Sequence, residues 1–289
     1  MELLQLKYFQ KIAHLEHMTK AAEALSVSQP SLSKTLRMLE EELSVQLFDR
    51  EGKYIRLNEY GKAYLKNVDI ALAALEDGKR KLINMNKERL QPIYLAVLAA
   101  SPVLPNLLSS FRDLYPSVSF QLLQNSPQYT QGDFDLCISS LPVNREGVGG
   151  TPLLTEEIFL AVPKGHRLAH RKSVKLQEAA NEGFIHLKPG NALRQITDSF
   201  CRLAGFSPRI AFESDDPATV RGLITAGQGI GFIPVVSWRG TIGDSVVLLK
   251  IEEPVCSRTL GLFWIEDRYQ SEMVLAFRQF TVDYFQKLL

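Results

Sequence analysis

The sequence predicts an α/β protein: a small helical N-terminal domain, a long linking helix, and a larger domain of alternating strands and helices. Three observations predict it. Residues 19–43 carry two short amphipathic helices separated by Ser26-Val27-Ser28. Residues 59–88 place apolar side chains at three- and four-residue spacing with no Pro, the pattern of one long amphipathic helix. From about Gln91 onward, short apolar runs alternate with helical stretches, as in an α/β sheet. A chain of 289 residues fits about two domains at roughly 150 residues each. With 45% hydrophobic and 22% charged residues, it is neither a disordered nor a fibrous chain.

The first domain is expected over 1–58. Leu3, Leu4, Leu6, Phe9, Ile12 and Ala13 recur at helical spacing. Thr19 is the expected N-cap of a second helix carrying Ala21, Ala22, Ala24 and Leu25. A third helix follows, with Ser28 as N-cap and Pro30 in its first turn, where a missing N–H costs nothing. Leu32, Leu36, Leu39 and Leu43 are its expected buried stripe. Two helices joined by a short turn, with small alanines at their crossing, form a helix-turn-helix. Leu47-Phe48 and Ile55-Arg56-Leu57 flank a segment containing Gly52, which predicts a hairpin wing.

Residues 59–90 form the expected linker. Its stripe is Tyr64, Leu65, Val68, Ala71, Leu72, Leu75, Leu82 and Ile83. So long a helix needs a partner for that stripe, and self-pairing in a dimer supplies one. Residues 91–289 then give strands near 93–98, 118–123, 134–139, 158–162, 183–187, 210–212, 231–234, 246–249 and 259–265. Helices are expected near 101–115, 191–204, 217–227 and 271–287.

The net charge is only +1, which taken alone argues against nucleic acid as a partner. Charge is sorted locally, however. Residues 18–39 hold Lys20, Lys34 and Arg37 against Glu23, and 48–58 hold Arg50, Lys53 and Arg56 against Asp49 and Glu51. The apolar stripe of the third helix leaves Gln29, Pro30, Ser33, Lys34 and Arg37 on the opposite face. Gln bonds adenine edges, Lys reaches guanine acceptors, and Ser bonds bases or phosphates. The base-reading set is therefore Gln29, Pro30, Ser33 and Lys34. The backbone-contacting set is Thr19, Ser28, Ser31 and Arg37, with Arg50, Lys53 and Arg56 on the wing. Glu40, Glu41 and Glu42 are expected at the far end of the reading helix.

The stretches LQLKYFQKIAHLEHMTKAAEALSVSQPSLSKTLRMLEEEL and VQLFDREGKYIRLNEYGKAYL strongly resemble the LysR-type transcriptional regulators. Met18 stands where that family often has Ser or Phe, Ser44 where Gly is common, and Asn58 where Thr is usual. Asn58 still serves as an N-cap. More weakly, SSFRDLYPSVSFQLL, GDFDLCIS, LAVPKGHRLA and AGQGIGFIP resemble the family's effector domain. The resemblance implies a two-lobed, periplasmic-binding-protein-like α/β domain, with lobe one at 91–161 and 268–289 and lobe two at 162–267. It implies a small-molecule effector between the lobes. Strand ends and helix N-termini nominate the pocket: Ala100, Ser101 and Pro102, Asn125 and Ser126, Asn191, Asp216, Gly231 and Phe232. The partners implied are double-stranded promoter DNA, an unidentified effector, a second copy in a dimer or tetramer, and RNA polymerase.

Other chemistries find little support. Cys137, Cys201 and Cys256 are odd in number, without a CxxC, which fits free thiols in a reducing compartment. The N-terminus lacks a signal-peptide pattern, and the longest apolar stretch, 93–108, is broken by Ser101, Pro102, Pro105 and Asn106. A cytoplasmic protein with no membrane partner is expected. Gly227, Gly229 and Gly231 precede a strand instead of following one, unlike a dinucleotide loop. His166 and His170 lack Cys or acidic partners at metal spacing. There is no G-x-S-x-G and no H-E-x-x-H. No enzyme activity, metal or cofactor is expected. The competing reading is a solute-binding protein or small α/β enzyme with a helical accessory, and retardation of promoter DNA distinguishes the two.

Overall fold

The computed structural model describes residues 1–51, 54–85, 92–124, 134–141 and 147–288. The chain divides into two units, Met1–Asn86 and Lys87–Leu289.

In the first unit, α1 (Leu3–Leu15), α2 (Met18–Ala24) and α3 (Gln29–Leu43) precede a hairpin of β1 (Phe48–Glu51) and β2 (Tyr54–Leu57), then α4 (Glu59–Met85). Phe9, Ile12, Ala21, Ala22, Leu32, Leu36 and Leu39 bury together with Leu47, Ile55, Val68 and Leu72. Each large side chain among them returns about 1.5–3 kcal/mol on burial. Phe9 meets Phe48 edge-on, centroids 5.7 Å apart, and Tyr64 at 5.4 Å. Two expectations change. Helix α2 begins at Met18, and its cap is His17, whose Nδ1 accepts from the Lys20 N–H at 3.3 Å; Thr19 lies inside the helix. Leu43 is half-buried, and Glu40 instead completes the inner face of α3, only 4% exposed. Asn58 does cap α4, its Oδ1 accepting from the Gly61 N–H at 2.9 Å. The stripe expected along α4 divides. Tyr64, Leu65, Val68 and Leu72 pack on the core of this unit, whereas Leu75 and Leu82 are exposed, as is Ile70 outside the expected stripe.

The second unit is built on one eight-stranded sheet among the described residues. Its members are β3 (Ile93–Val97), β4 (Phe120–Gln124), β5 (Leu136–Ser140), β6 (Val148–Pro163), β7 (Ser173–Lys175), β10 (Gly231–Pro234), β11 (Val246–Glu253) and β12 (Ser257–Ile265). The order is β4-β3-β5-β12-β6-β11-β7, with β10 also on β6. A separate parallel pair joins β8 (Gly183–Leu187) to β9 (Arg209–Ser214). Helices α5 (Leu104–Leu114), α6 (Ala192–Leu203), α7 (Pro217–Thr225) and α8 (Glu272–Gln286) complete it, with a 3-10 turn at Ser101–Val103.

Two large apolar cores share this sheet, besides a small cluster of Ala96, Phe134, Cys137 and Phe263. One gathers Leu95, Leu107, Phe111, Leu136, Leu154, Leu260, Leu262, Phe277 and Phe285. The other gathers Ile158, Leu160, Phe184, Ile185, Phe200, Ile224, Phe232 and Trp238. The cores therefore change over within β6 between Leu154 and Ile158, and at the start of β12 between Cys256 and Leu260. The 16-residue β6 is longer than its expected 158–162 portion. Its N-terminal half holds Gly149 and Gly150, which look like breakers. Both are paired with β12 beneath aromatic rings: a Cβ on Gly149 would meet Trp264 Nε1 at 2.7 Å, and one on Gly150 would meet Phe263 Cδ1 at 2.6 Å.

Candidate functional site

The N-terminal interface is built by α3 and the hairpin. Ser28 caps α3, its Oγ accepting from the Ser31 N–H at 3.4 Å, and Pro30 lies in the first turn. Burial of Leu32, Leu36 and Leu39 turns Gln29, Pro30, Ser31, Lys34 and Arg37 outward, all exposed, with Ser33 half-buried. This helix face, with its N-terminus foremost, has the residue types for a major groove. Thr19 is exposed on α2. Arg37 pairs with Glu41 one turn on at 3.4 Å, both exposed, a contact that water and salt weaken.

In the hairpin, Arg50 lies opposite Ile55, and Arg56 opposite Asp49. Cross-strand partners share a face, so Asp49 offsets part of the Arg56 charge. Lys53 lies outside the described residues.

The sequence reading missed what holds the wing. The buried Glu40 carboxylate accepts from the Leu47 N–H at 2.8 Å, just before β1. Glu16, at the end of α1, accepts from the Leu57 N–H at 2.9 Å, at the end of β2. These two acids thus fix both roots of the hairpin to helices. Neither is marked by a motif: the inward Glu40 breaks the apolar pattern, and Glu16 is an exposed residue at the end of α1.

The pocket residues expected in the second unit scatter in role. Ala100 is buried in a left-handed conformation, φ 60°, and leads into the turn bearing the half-buried Ser101 and Pro102. Asn125 and Ser126 lie outside the described residues. Asn191 caps α6, its Oδ1 accepting from the Leu193 N–H at 2.9 Å. Asp216 caps α7, accepting from the Ala218 and Thr219 N–H groups at 3.0 Å and from the Thr219 hydroxyl at 2.8 Å. Those bonds, the Ala218 one first, hold its carboxyl below the usual range. Both polar side chains thus serve their own helices. Gly231 and Phe232 are buried on β10, the Phe232 ring stacked on Phe184 at 5.6 Å.

A buried network lies where the two cores meet. Glu156 on β6 and Arg258 on β12 are register partners. The Arg258 Nε donates to Glu156 Oε1 at 2.8 Å, with both side chains essentially buried. Glu156 also accepts from the Val236 and Ser237 N–H groups and the Ser237 hydroxyl. Arg258 reaches Ser140, at the end of β5, at 3.3 Å and Ser237 at 2.9 Å. Burial pushes the guanidinium pKa down against the pull of Glu156.

Burial pushes all three thiols, Cys137, Cys201 and Cys256, up to about 12. None offers the thiolate that nucleophilic or redox chemistry requires. Among the described residues no three His, Cys, Asp or Glu side chains gather for a metal, and no helix is long and apolar enough to cross a membrane.

Residues 3–62 match the family described as bacterial regulatory helix-turn-helix protein, lysR family, and residues 93–286 match the LysR substrate binding domain. The uncharacterized HTH-type transcriptional regulator YybE of Bacillus subtilis is 36% identical over 99% of this chain and 100% of its own length. The transcriptional dual regulator GltC of the same organism is 34% identical over 100% and 99%. These relatives are regulators, not enzymes. Among solved structures, the effector binding domain of QuiR in complex with shikimate is 25% identical, with a TM-score of 0.60, covering 69% of this chain and 99% of that one.

Proposed function

Since the chain belongs to the LysR family of bacterial regulators, with a helix-turn-helix and a substrate-binding domain, we propose that it reads a specific promoter sequence under control of a small molecule held between its two lobes. The observation that carries the DNA half is the outward face of α3. Gln29, Pro30, Ser33 and Lys34 read base edges. Thr19, Ser28, Ser31, Arg37, Arg50, Lys53 and Arg56 meet phosphates. Two copies, joined through the exposed Ile70, Leu75 and Leu82 of α4, set two reading helices in successive major grooves of a pseudo-palindromic site. The dimer or a tetramer of it is the working form, in the cytoplasm, with RNA polymerase as the neighbouring partner on the promoter.

The effector half rests on the second family match and on the shikimate complex of the QuiR domain. The lining proposed is Ala100, Ser101, Pro102, Asn125, Ser126, Asn191, Asp216, Gly231 and Phe232. Closure of the lobes shifts the spacing of the reading helices, which couples effector to DNA. The test is gel retardation of DNA from upstream of its own gene, over a salt series, after a thermal-shift screen of metabolites. Retardation that weakens with salt and responds to a stabilising metabolite is expected. No retardation at low salt overturns the DNA reading and favours the solute-binding alternative.

A further inference from the structure

A small pocket in the second unit has His186 of β8 in its wall, with Leu193, Arg194, Thr197, Phe232 and Trp238 around it. Its volume is about 20 Å³, room for about one water-sized group. His186 is 3% exposed, and its ring meets Phe232 edge-on at 5.6 Å and Phe184 at 5.7 Å. Its Nε2 is buried with no hydrogen-bond partner among the described residues. Its Nδ1 lies 3.9 Å from Asp198 Oδ1, beyond hydrogen-bond reach.

The chemistry of the pocket is neutral. Burial, then the nearby Arg194, lowers the imidazole pKa to about 4, so the ring is uncharged at neutral pH. The cation in its wall, Arg194, is already committed, and Arg221 lies over the Trp238 ring, 4.8 Å from its centroid. Arg194 Nε donates to both oxygens of Asp198 at 2.8 and 2.7 Å, and Nη1 to Leu187 O at 2.8 Å and Glu213 Oε1 at 2.7 Å. An anion entering here would meet those two carboxylates. The Thr197 hydroxyl donates to the Leu193 or Arg194 carbonyl and retains acceptor capacity. A hydroxyl group both donates and accepts, so it satisfies either tautomer of a neutral imidazole, whereas a carboxylate satisfies only one.

We propose that this pocket holds one neutral hydroxyl-type oxygen on His186 Nε2, supplied by water in the free protein and by a hydroxyl of the effector in the complex. The effector part rests on the function proposed above, and Phe232 belongs to both linings. Hydroxylated effectors thereby gain an anchor that carboxylates do not find at this point.

The test is crystallographic, on the full chain in three states: unsoaked, soaked in methanol, and soaked in formate of matched size. The same three are repeated on His186→Phe, with His186→Leu as the alternative if Phe does not fold. Expected are an oxygen within about 3.2 Å of Nε2 in unsoaked crystals, its replacement by the methanol hydroxyl, no formate there, and loss of the oxygen in the variant. A bare Nε2, formate in preference to methanol, or an oxygen equally occupied in the variant overturns the proposal. Water that methanol never replaces overturns its effector half. A chain that retards DNA and answers to a metabolite while Nε2 stays bare refutes this proposal alone. Loss of the metabolite response with Nε2 occupied refutes the effector reading instead.

Discussion

Replacing Arg258 by Met cuts the buried network at its cationic end. The guanidinium loses its 2.8 Å bond to Glu156 and its bonds to Ser140 and Ser237, and a carboxylate stays behind with no exposure to water. Breaking a buried pair from one side costs about 3–5 kcal/mol. Glu156 keeps three donors, the Val236 and Ser237 N–H groups and the Ser237 hydroxyl, so the cost belongs near the lower end, about 3 kcal/mol. For a unit of this length that lowers the melting temperature by about 6–12 °C. Adding Glu156→Gln removes the stranded charge while one amide oxygen still accepts from the two N–H groups. The double variant is then expected to regain about 1–2 kcal/mol over Arg258→Met. Urea denaturation followed by circular dichroism, run as a double-mutant cycle, measures the coupling. If the double variant loses the full sum of the two single losses, the pairing of charges is not what stabilises this junction.

Three further outcomes follow from single sites. Ser44 ends α3 in the left-handed region, φ 57°, so Ser44→Gly gains about 0.5–1 kcal/mol in chemical denaturation. Gly61 lets α4 approach the hairpin: a Cβ there would press on the Leu47 carbonyl oxygen and come within 2.7 Å of Leu57 Cδ1. Gly61→Ala therefore loses about 1–3 kcal/mol by overpacking, despite the better helix propensity of Ala, and a melting curve reads it. His186 titrates at about 4 when folded, against 6.5 ordinarily. Between these values the unfolded chain binds the extra proton, so stability falls as pH drops from about 6.5 toward 4, by up to about 3 kcal/mol. Urea titrations at stepped pH, compared with His186→Leu, isolate that slope, which the variant lacks.

The helix-turn-helix, the hairpin and the long helix were legible because each is governed by local periodicity and caps. Ser28, Asn58, Asn191 and Asp216 all proved to be caps, since their signal is local too. Thr19 was misplaced because His17, a less usual cap, starts α2 earlier. What was not legible depends on contacts distant in sequence. Glu16 and Leu57, 41 residues apart, meet only once the hairpin folds back. Glu156 and Arg258 are 102 residues apart. The first half of β6 is hidden because Gly149 and Gly150 owe their smallness to rings on β12. The outward face of α3 was legible as a proposed DNA-reading face because its residue types suit a partner outside the chain. The proposed effector pocket was not legible in the same way, because polar residues at helix starts announce caps as strongly as ligands.

The most direct test of the central claim compares affinities for the cognate promoter and for random DNA across four variants at fixed salt. Gln29→Ala and Lys34→Ala are expected to lose about 1–3 kcal/mol, about five- to 150-fold, on the promoter and little on random DNA. Arg50→Ala and Lys53→Ala are expected to weaken both about equally and to flatten the salt dependence. Equal losses on both DNAs for all four variants would contradict the claim that α3 reads the bases while the wing grips the backbone.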